Sequence, residues 1–95
     1  MRVLVVDDER ALADLVATGL TRQDMAVDVA YRGDDADELL AVHDYDVVVL
    51  DRDVPGLHGD EVARRLTARG ALTRILLLTA ATTLSDRVHL SLIHI

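Results

Sequence analysis

Several residue types are missing or rare in this chain of 95 residues, and each absence excludes a class of chemistry. There is no cysteine, so disulfide bonds and thiolate catalysis are excluded. There is no Phe or Trp, and with only two Tyr the core must be built mostly from aliphatic side chains. No apolar run reaches the roughly 18 residues of a membrane-spanning helix, so no membrane partner is expected. All 10 basic residues are Arg, and Lys is absent.

The charge balance narrows the choice of partners further. The formal net charge is −7, which makes nucleic acid an unfavourable direct partner and favours cations or basic protein surfaces. Apolar residues make up 51% of the chain, which is enough for the core of one small domain. The chain begins with Met1-Arg2-Val3-Leu4 and runs directly into a short apolar segment, without the longer h-region of a signal peptide. We therefore expect a cytoplasmic protein.

Short apolar runs alternate along the chain with segments of helical periodicity. The runs predict four strands, at Val3–Val6, Met25–Ala30, Val47–Leu50 and Ile75–Leu78. The first predicted helix places Leu12, Leu15, Val16, Gly19 and Leu20 on its inner face, and further helices are predicted over 33–43, over 59–69 and from about residue 84. Strands that alternate with helices predict an α/β fold, a doubly wound parallel sheet with helices on both faces.

Polar side chains follow three of the predicted strands at the point where each strand ends. Asp7 and Asp8 follow the first strand, Asp51 and then Asp53 follow the third, and Thr79 follows the fourth. Ligands of open parallel sheets bind beyond the carboxyl ends of the strands, so these groups converge if the strands are neighbours. Clustered carboxylates repel one another, and a hard cation such as Mg²⁺ makes the cluster tolerable. A carboxylate beside Mg²⁺ could also attack phosphorus.

A structural reading of the acidic residues stays open beside the functional one. Asp pairs after strands commonly serve as turn and helix-cap residues, which would explain Asp7 and Asp8 without a ligand. Other acids are read as solvated charges at helix starts: Asp34, Asp35, Asp37, Glu38, Asp60 and Glu61. The four His show no metal-ligand spacing.

Three motifs together resemble the receiver domain of two-component response regulators. They are Val-Asp-Asp-Glu (6–9), Leu-Asp-Arg-Asp-Val-Pro-Gly-Leu-His-Gly (50–59) and Leu-Leu-Thr-Ala (77–80). The run Tyr-Arg-Gly-Asp-Asp-Ala (31–36) also fits the second strand-to-helix junction of that family. The resemblance covers about residues 2–90 and is most similar to regulators with a winged-helix DNA-binding domain. It implies a flavodoxin-like fold with strand order 2-1-3-4.

The resemblance also implies a role for each candidate residue. Asp51 would be the phospho-acceptor, charged by a histidine kinase. Asp8 and Asp51 would hold Mg²⁺ through their carboxylates with the help of Asp7, while Asp53 would contribute its backbone carbonyl. Thr79 would be the switch hydroxyl. The implied protein is a phosphorelay signalling switch rather than an enzyme: it phosphorylates and dephosphorylates only itself, can form a homodimer, and regulates transcription through a DNA-binding output domain outside these residues.

The sequence departs from the family in two respects. The family places a Lys at the end of a fifth strand, and this sequence contains no Lys. Residues 90–95 do not match the family, so we expect an incomplete receiver domain over residues 1–95 that lacks the fifth strand and last helix and carries a non-native tail; a natural short variant is the alternative. The edge of Ile75–Leu78 should then be uncovered. Phosphorylation should be weak, because a charge-assisted contact is typically worth about 1.5–3 kcal/mol.

Two other functions stay open. Val-Leu-Asp-Arg-Asp-Val (49–54) also resembles the first motif of haloacid-dehalogenase-type phosphatases, in which the first Asp attacks phosphate. That family places the motif on its first strand and needs a later Lys, whereas here the motif follows the third predicted strand. The second alternative is an interaction fragment that never takes phosphate and acts by dimerisation alone.

Overall fold

The computed structural model describes residues 1–78 and 92–94, which form one sheet with helices on both faces. The elements are β1 (Arg2–Val6), α1 (Arg10–Thr21), β2 (Ala26–Ala30), α2 (Gly33–Val42), β3 (Val47–Asp51), α3 (Gly59–Ala68), β4 (Arg74–Leu78) and β5 (Leu92–His94). The sheet order is β2-β1-β3-β4-β5, and the first four strands are parallel. The predicted doubly wound α/β fold and the order 2-1-3-4 are therefore confirmed. No helix of the described residues is long and apolar enough to cross a membrane.

The outer edge of β4 differs from the sequence-based expectation. β5 pairs with β4 in the antiparallel direction, with Leu77 opposite Ile93. The expectation that this edge is uncovered is therefore wrong for Leu76–Leu78, because the backbone groups of β4 find partners in a returning segment. The prediction that residues 90–95 form a non-native tail stays a prediction. Thr79 and the helix predicted from about residue 84 lie outside the described residues.

Successive side chains of each strand point to opposite faces of the sheet and pack into two apolar layers. One layer lies between the sheet and helices α2 and α3 and includes the fully buried Leu4, Val48 and Leu50. The other layer lies under α1, where Val3, Val5 and Ala13 are buried. The predicted inner face of α1 is partly wrong: Leu15 is 67% exposed, and Gly19 is exposed as well. The buried stripe runs through positions 13, 16 and 20, so Leu15 points to the opposite side of the helix.

A polar network closes the amino ends of β1 and β3. The phenol of Tyr45 donates to Asp28 Oδ2 at 2.6 Å, and Arg2 Nη2 donates to the same oxygen at 3.0 Å. The Arg2 guanidinium also lies 5.1 Å from the centre of the Tyr45 ring. Burial, together with the hydrogen bond to Asp28, raises the pKa of Tyr45 to about 12. The same bond holds the pKa of the Asp28 carboxyl below its usual value.

Candidate metal centre

The register of the two central strands brings their carboxyl ends to one edge of the sheet. β1 and β3 are parallel neighbours, and Val6 lies opposite Leu50. The residue after each of these positions is an Asp, so Asp7 and Asp51 leave the sheet side by side. Asp7 is 2% exposed and Asp51 is 4% exposed, whereas Asp8 reaches the surface. Two carboxyl groups are therefore buried at the rim, and a third faces solvent.

The three acids form a group of the size that a metal ion needs. One carboxylate oxygen from each of Asp7, Asp8 and Asp51 lies within 4.8 Å of the other two. Within residues 1–78 and 92–94 this is the one group of three or more His, Cys, Asp or Glu with that spacing. The structure therefore brings together three of the five residues that the sequence placed at this site.

Backbone amides orient the two buried carboxylates. Oδ1 of Asp7 accepts the amide hydrogen of Glu9 at 2.9 Å, and Oδ1 of Asp51 accepts that of Asp53 at 3.2 Å. Glu9 occupies the N-cap position of α1 without a side-chain capping bond. Asp7 therefore fits both the structural and the functional interpretation of the sequence, because it stabilises the turn before α1 and also belongs to the acidic group.

The other two predicted site residues are placed differently. The Asp53 side chain is exposed, and its Oδ1 lies 3.6 Å from Nε2 of His58 rather than in the acidic group. This position agrees with the view that the Asp53 carboxyl is not needed, while the role of its backbone carbonyl stays a prediction. Thr79 lies outside the described residues, and its role also stays a prediction.

Sequence reasoning missed the ion pairs beside the site. Arg52 follows Asp51 directly, but its Nε and Nη2 donate to the two carboxylate oxygens of Asp60 at 3.1 and 3.0 Å. This contact lowers the pKa of Asp60 and raises that of Arg52. Asp60 lies at the surface in the first turn of α3, where it is paired with Arg52. Arg52, the basic residue next to Asp51 in the sequence, is thus bound to the first turn of α3.

A second unforeseen contact joins the two helices on the same face of the sheet. Asp37 of α2 accepts hydrogen bonds from Nη1 of Arg65 on α3 at 3.3 Å and from Nη1 of Arg69, the C-cap residue of α3, at 3.4 Å. The prediction that Asp37 is a solvated charge is wrong, because its side chain is only 21% exposed and is shared by two Arg. No pattern within a single helix would have indicated this pairing.

The arrangement of the acids favours a hard cation. Three carboxylates at this distance repel one another, and the repulsion is offset when a cation lies among them. An all-oxygen donor set of this kind suits Mg²⁺ or another hard divalent ion rather than a metal that prefers sulfur or imidazole. The residues present therefore fit a magnesium site.

The fold and the site together define an α/β domain with an acidic cation pocket at the carboxyl edge of its sheet. A family model described as the response regulator receiver domain matches residues 3–93. The chain belongs to that family, as the resemblance of its motifs implied.

Curated relatives and solved structures agree with this assignment. The chain is 61% identical over 88 residues to the transcriptional regulatory protein CutR of Streptomyces coelicolor, covering 93% of this chain and 41% of CutR. It is 42% identical over 88 residues to the transcriptional regulatory protein TctD of Salmonella typhimurium, covering 93% of this chain and 39% of TctD. It thus spans about two fifths of the length of these relatives.

Among solved structures, the response regulator TrrA of Thermotoga maritima in complex with Mg²⁺-BeF is similar, with a TM-score of 0.78 and 36% identity, covering 85% of this chain and 70% of TrrA. The BeF₃-activated receiver domain of RstA from Klebsiella pneumoniae gives a TM-score of 0.74 at 33% identity, covering 94% of this chain and 75% of that chain.

Proposed function

We propose that this domain is a phosphorylation-controlled switch and that Asp51 is its phospho-acceptor. The observation that carries the proposal is the buried carboxylate of Asp51 at the end of β3, grouped within 4.8 Å with the carboxylates of Asp7 and Asp8. An acid held at a strand tip by the amide of Asp53 is oriented for attack rather than free to turn away. Membership of the receiver family supports the same role.

The proposed cofactor is Mg²⁺, held by the carboxylates of Asp8 and Asp51 and assisted by Asp7. The backbone carbonyl of Asp53 would be a further ligand. When bound, Mg²⁺ neutralises negative charge on the phosphoryl oxygens and on the acids. The complex of TrrA with Mg²⁺-BeF is a precedent in a protein 36% identical to this chain.

The chemical step is a transfer from a phosphohistidine of a histidine kinase. A carboxylate oxygen of Asp51 forms a bond to phosphorus as the bond from phosphorus to the imidazole nitrogen breaks. The electron pair stays on that nitrogen, which takes up a proton, and the carboxylate becomes an acyl phosphate. Thr79 would then donate its hydroxyl to a phosphoryl oxygen. The domain takes phosphate from others and loses it by hydrolysis, so it is a regulatory domain and not an enzyme that turns over external substrates.

The role of the full-length protein is inferred from its relatives. CutR and TctD are named transcriptional regulatory proteins, and the chain covers about two fifths of each. We infer a cytoplasmic transcription regulator in which this domain, with the ability to dimerise, controls a DNA-binding output domain. Phosphorylation adds charge and acceptor oxygens at the rim of the sheet, which biases the conformation that the output domain senses.

The test is phosphorylation by a small phospho-donor in the presence of Mg²⁺, read by intact mass. We expect a gain of one phosphoryl group that is incomplete, since no Lys is present to contact the phosphate. Asp51→Asn should abolish the gain, whereas Asp53→Asn, which changes only an exposed carboxyl, should retain it. A gain that persists in Asp51→Asn would place the acceptor elsewhere and refute the proposal.

The two alternatives predict different results in the same preparation. The phosphatase motif would have to lie on the first strand, but Asp51 ends β3, the third strand in the chain. A phosphatase would also turn over a generic phosphate ester many times, whereas a receiver does not. An inert interaction fragment would show no Mg²⁺-dependent amide shifts at Asp8 or Asp51 in an NMR titration.

A further inference from the structure

The loop that follows the phospho-acceptor rests against the start of α2. This loop, residues 52–58, connects β3 to α3 and is here called the acceptor loop. The amide of Gly33, the first residue of α2, donates to the carbonyl of Pro55 at 2.9 Å. A Cβ added to Gly33 would lie 1.6 Å from the carbonyl oxygen of Leu57 and 2.6 Å from its carbonyl carbon. Backbone lies against backbone here, so no side chain fits at position 33.

Gly56 at the tip of the acceptor loop also lies close to the junction between β2 and α2. Gly56 has a φ of +78°, a left-handed conformation that favours glycine. A Cβ on Gly56 would lie 2.3 Å from Asp34 Oδ1 and 2.9 Å from Arg32 Nη2. Arg32 and Asp34 also bond to each other, with Nε to Oδ1 at 3.0 Å. The junction between β2 and α2 therefore covers the tip of the acceptor loop on two sides.

The other end of the acceptor loop is bound to the site itself. The amide of Asp53 donates to Asp51 Oδ1 at 3.2 Å, and the amide of Gly59 donates to the carbonyl of Arg52 at 3.0 Å. The loop is thus held at its base by the phospho-acceptor and at its tip by Gly33. A displacement at the tip has only a few residues over which to relax before it reaches Asp53.

We infer that Gly33 is a positioning residue for the metal centre, acting through Pro55 and Leu57 on the acceptor loop. Gly33 belongs neither to the group of acids nor to the predicted metal ligands. It sets the height of the loop above the sheet, and with it the direction of the Asp53 carbonyl and of the Asp51 carboxylate. The inference rests on the proposed function, because it concerns the same magnesium site. It adds that the junction between β2 and α2 supports the magnesium site, although β2 lies two positions away from β3 in the sheet.

The size of the effect follows from the geometry that Mg²⁺ demands. A Cβ at 1.6 Å from a carbonyl oxygen must move to at least 3.0 Å, so Leu57 or Gly33 has to shift. Mg²⁺ requires near-ideal octahedral ligands at about 2.0–2.1 Å and tolerates such displacements poorly. Changes to groups that orient metal ligands typically weaken metal binding by about 10–100-fold. We expect the lower end of that range, since Asp7 and Asp8 follow β1 and do not belong to the acceptor loop.

The experiment is a titration of the full 95-residue chain with MgCl₂, followed by amide NMR shifts at Asp8, Asp51 and Asp53. Gly33→Ala should raise the Mg²⁺ dissociation constant about tenfold. The matched control is Gly19→Ala on α1, where an added Cβ meets nothing within 4 Å, and it should leave the dissociation constant unchanged. A purely structural role for Gly33 would lower the melting temperature but leave the affinity for Mg²⁺ intact.

A second pair of variants keeps the inference testable if Gly33→Ala does not fold. Arg32→Ala removes the ion pair beside Gly56 without changing the backbone, and it should weaken Mg²⁺ binding by a smaller factor, about twofold to fivefold. Arg22→Ala removes an exposed charge at the carboxyl end of α1 and should leave the Mg²⁺ dissociation constant unchanged. If the wild type does not bind Mg²⁺, the proposed function fails and the inference fails with it. If the wild type binds and Gly33→Ala, or Arg32→Ala in its place, binds equally well, only the inference is overturned.

Discussion

Replacing Asp51 by Asn should reverse the order of stability of two proteins when Mg²⁺ is added. Without a divalent ion, the buried carboxylates of Asp7 and Asp51 repel each other, and the unfolded chain is free of this repulsion. Asn removes one of the two charges and keeps a side-chain oxygen that can accept the amide of Asp53. The variant should therefore be more stable than the wild type in the absence of Mg²⁺.

The magnitude can be worked from the spacing of the acids. The carboxylate oxygens lie within 4.8 Å of one another, and two unit charges at that limit repel by roughly 3.5 kcal/mol at an effective dielectric constant of about 20. Water at the exposed Asp8 side screens part of this energy, so we expect a gain of about 1–3 kcal/mol in the free energy of unfolding. Mg²⁺ at about 1,000 times its dissociation constant stabilises the wild type by about 4.1 kcal/mol, which exceeds this gain, and the variant lacks an anionic ligand for the ion.

The assay is urea unfolding followed by circular dichroism, once with EDTA and once with MgCl₂ at equal ionic strength. Asp44→Asn is the control, because it removes one exposed charge just before β3 and away from the acidic group. The control should shift equally in both conditions. The reasoning is refuted if Asp51→Asn is the less stable protein in EDTA, or if it gains as much from Mg²⁺ as the wild type does.

Three further predictions concern other parts of the molecule. Gly19→Ala should raise the free energy of unfolding by about 0.5–1 kcal/mol in urea titrations, since Gly19 lies exposed inside α1. Tyr45→Phe should lower it by about 1 kcal/mol at pH 8, because the half-exposed Asp28 loses its phenol donor. The pKa of Tyr45 is raised from 10.0 to about 12. The contribution of the phenol to stability is therefore complete below pH 10 and is lost as the pH rises through 12. Urea unfolding at pH 8 and at pH 11 should show this loss of stability in the wild type and not in the variant. Asp53→Asn should leave the Mg²⁺ dissociation constant within about twofold in the NMR titration; a tenfold loss would show that its carboxyl is a ligand.

The parallel core and the acidic group could be predicted because each depends on a local signal. Three of the four parallel strands, β1, β3 and β4, contain an uninterrupted apolar run, and Asp7 and Asp51 follow two of these runs directly. The carboxyl ends of parallel strands share one edge of a sheet, so the meeting of the two acids needs no knowledge of the loops. The predicted convergence of the carboxylates therefore rested on strand direction and on the condition that β1 and β3 are neighbours, which the sheet meets.

The features that escaped prediction depend on contacts between distant segments. The three residues of β5 are too few for an alternating pattern to be read, and their pairing with β4 is decided by which edge is open. The contact of Gly33 with Leu57 depends on how two loops pack. Leu15 was misplaced because positions 12, 15, 16, 19 and 20 and positions 13, 16 and 20 both fit a helical period, and only packing against the sheet separates them.

The carboxylate of Asp37 has two arginine partners, and this gives the helical layer a form of redundancy. Loss of either Arg65 or Arg69 leaves the other cation as a partner for Asp37. Loss of Asp37 removes both contacts at once. A substitution of Asp37 should therefore cost this polar link more than a substitution of either arginine.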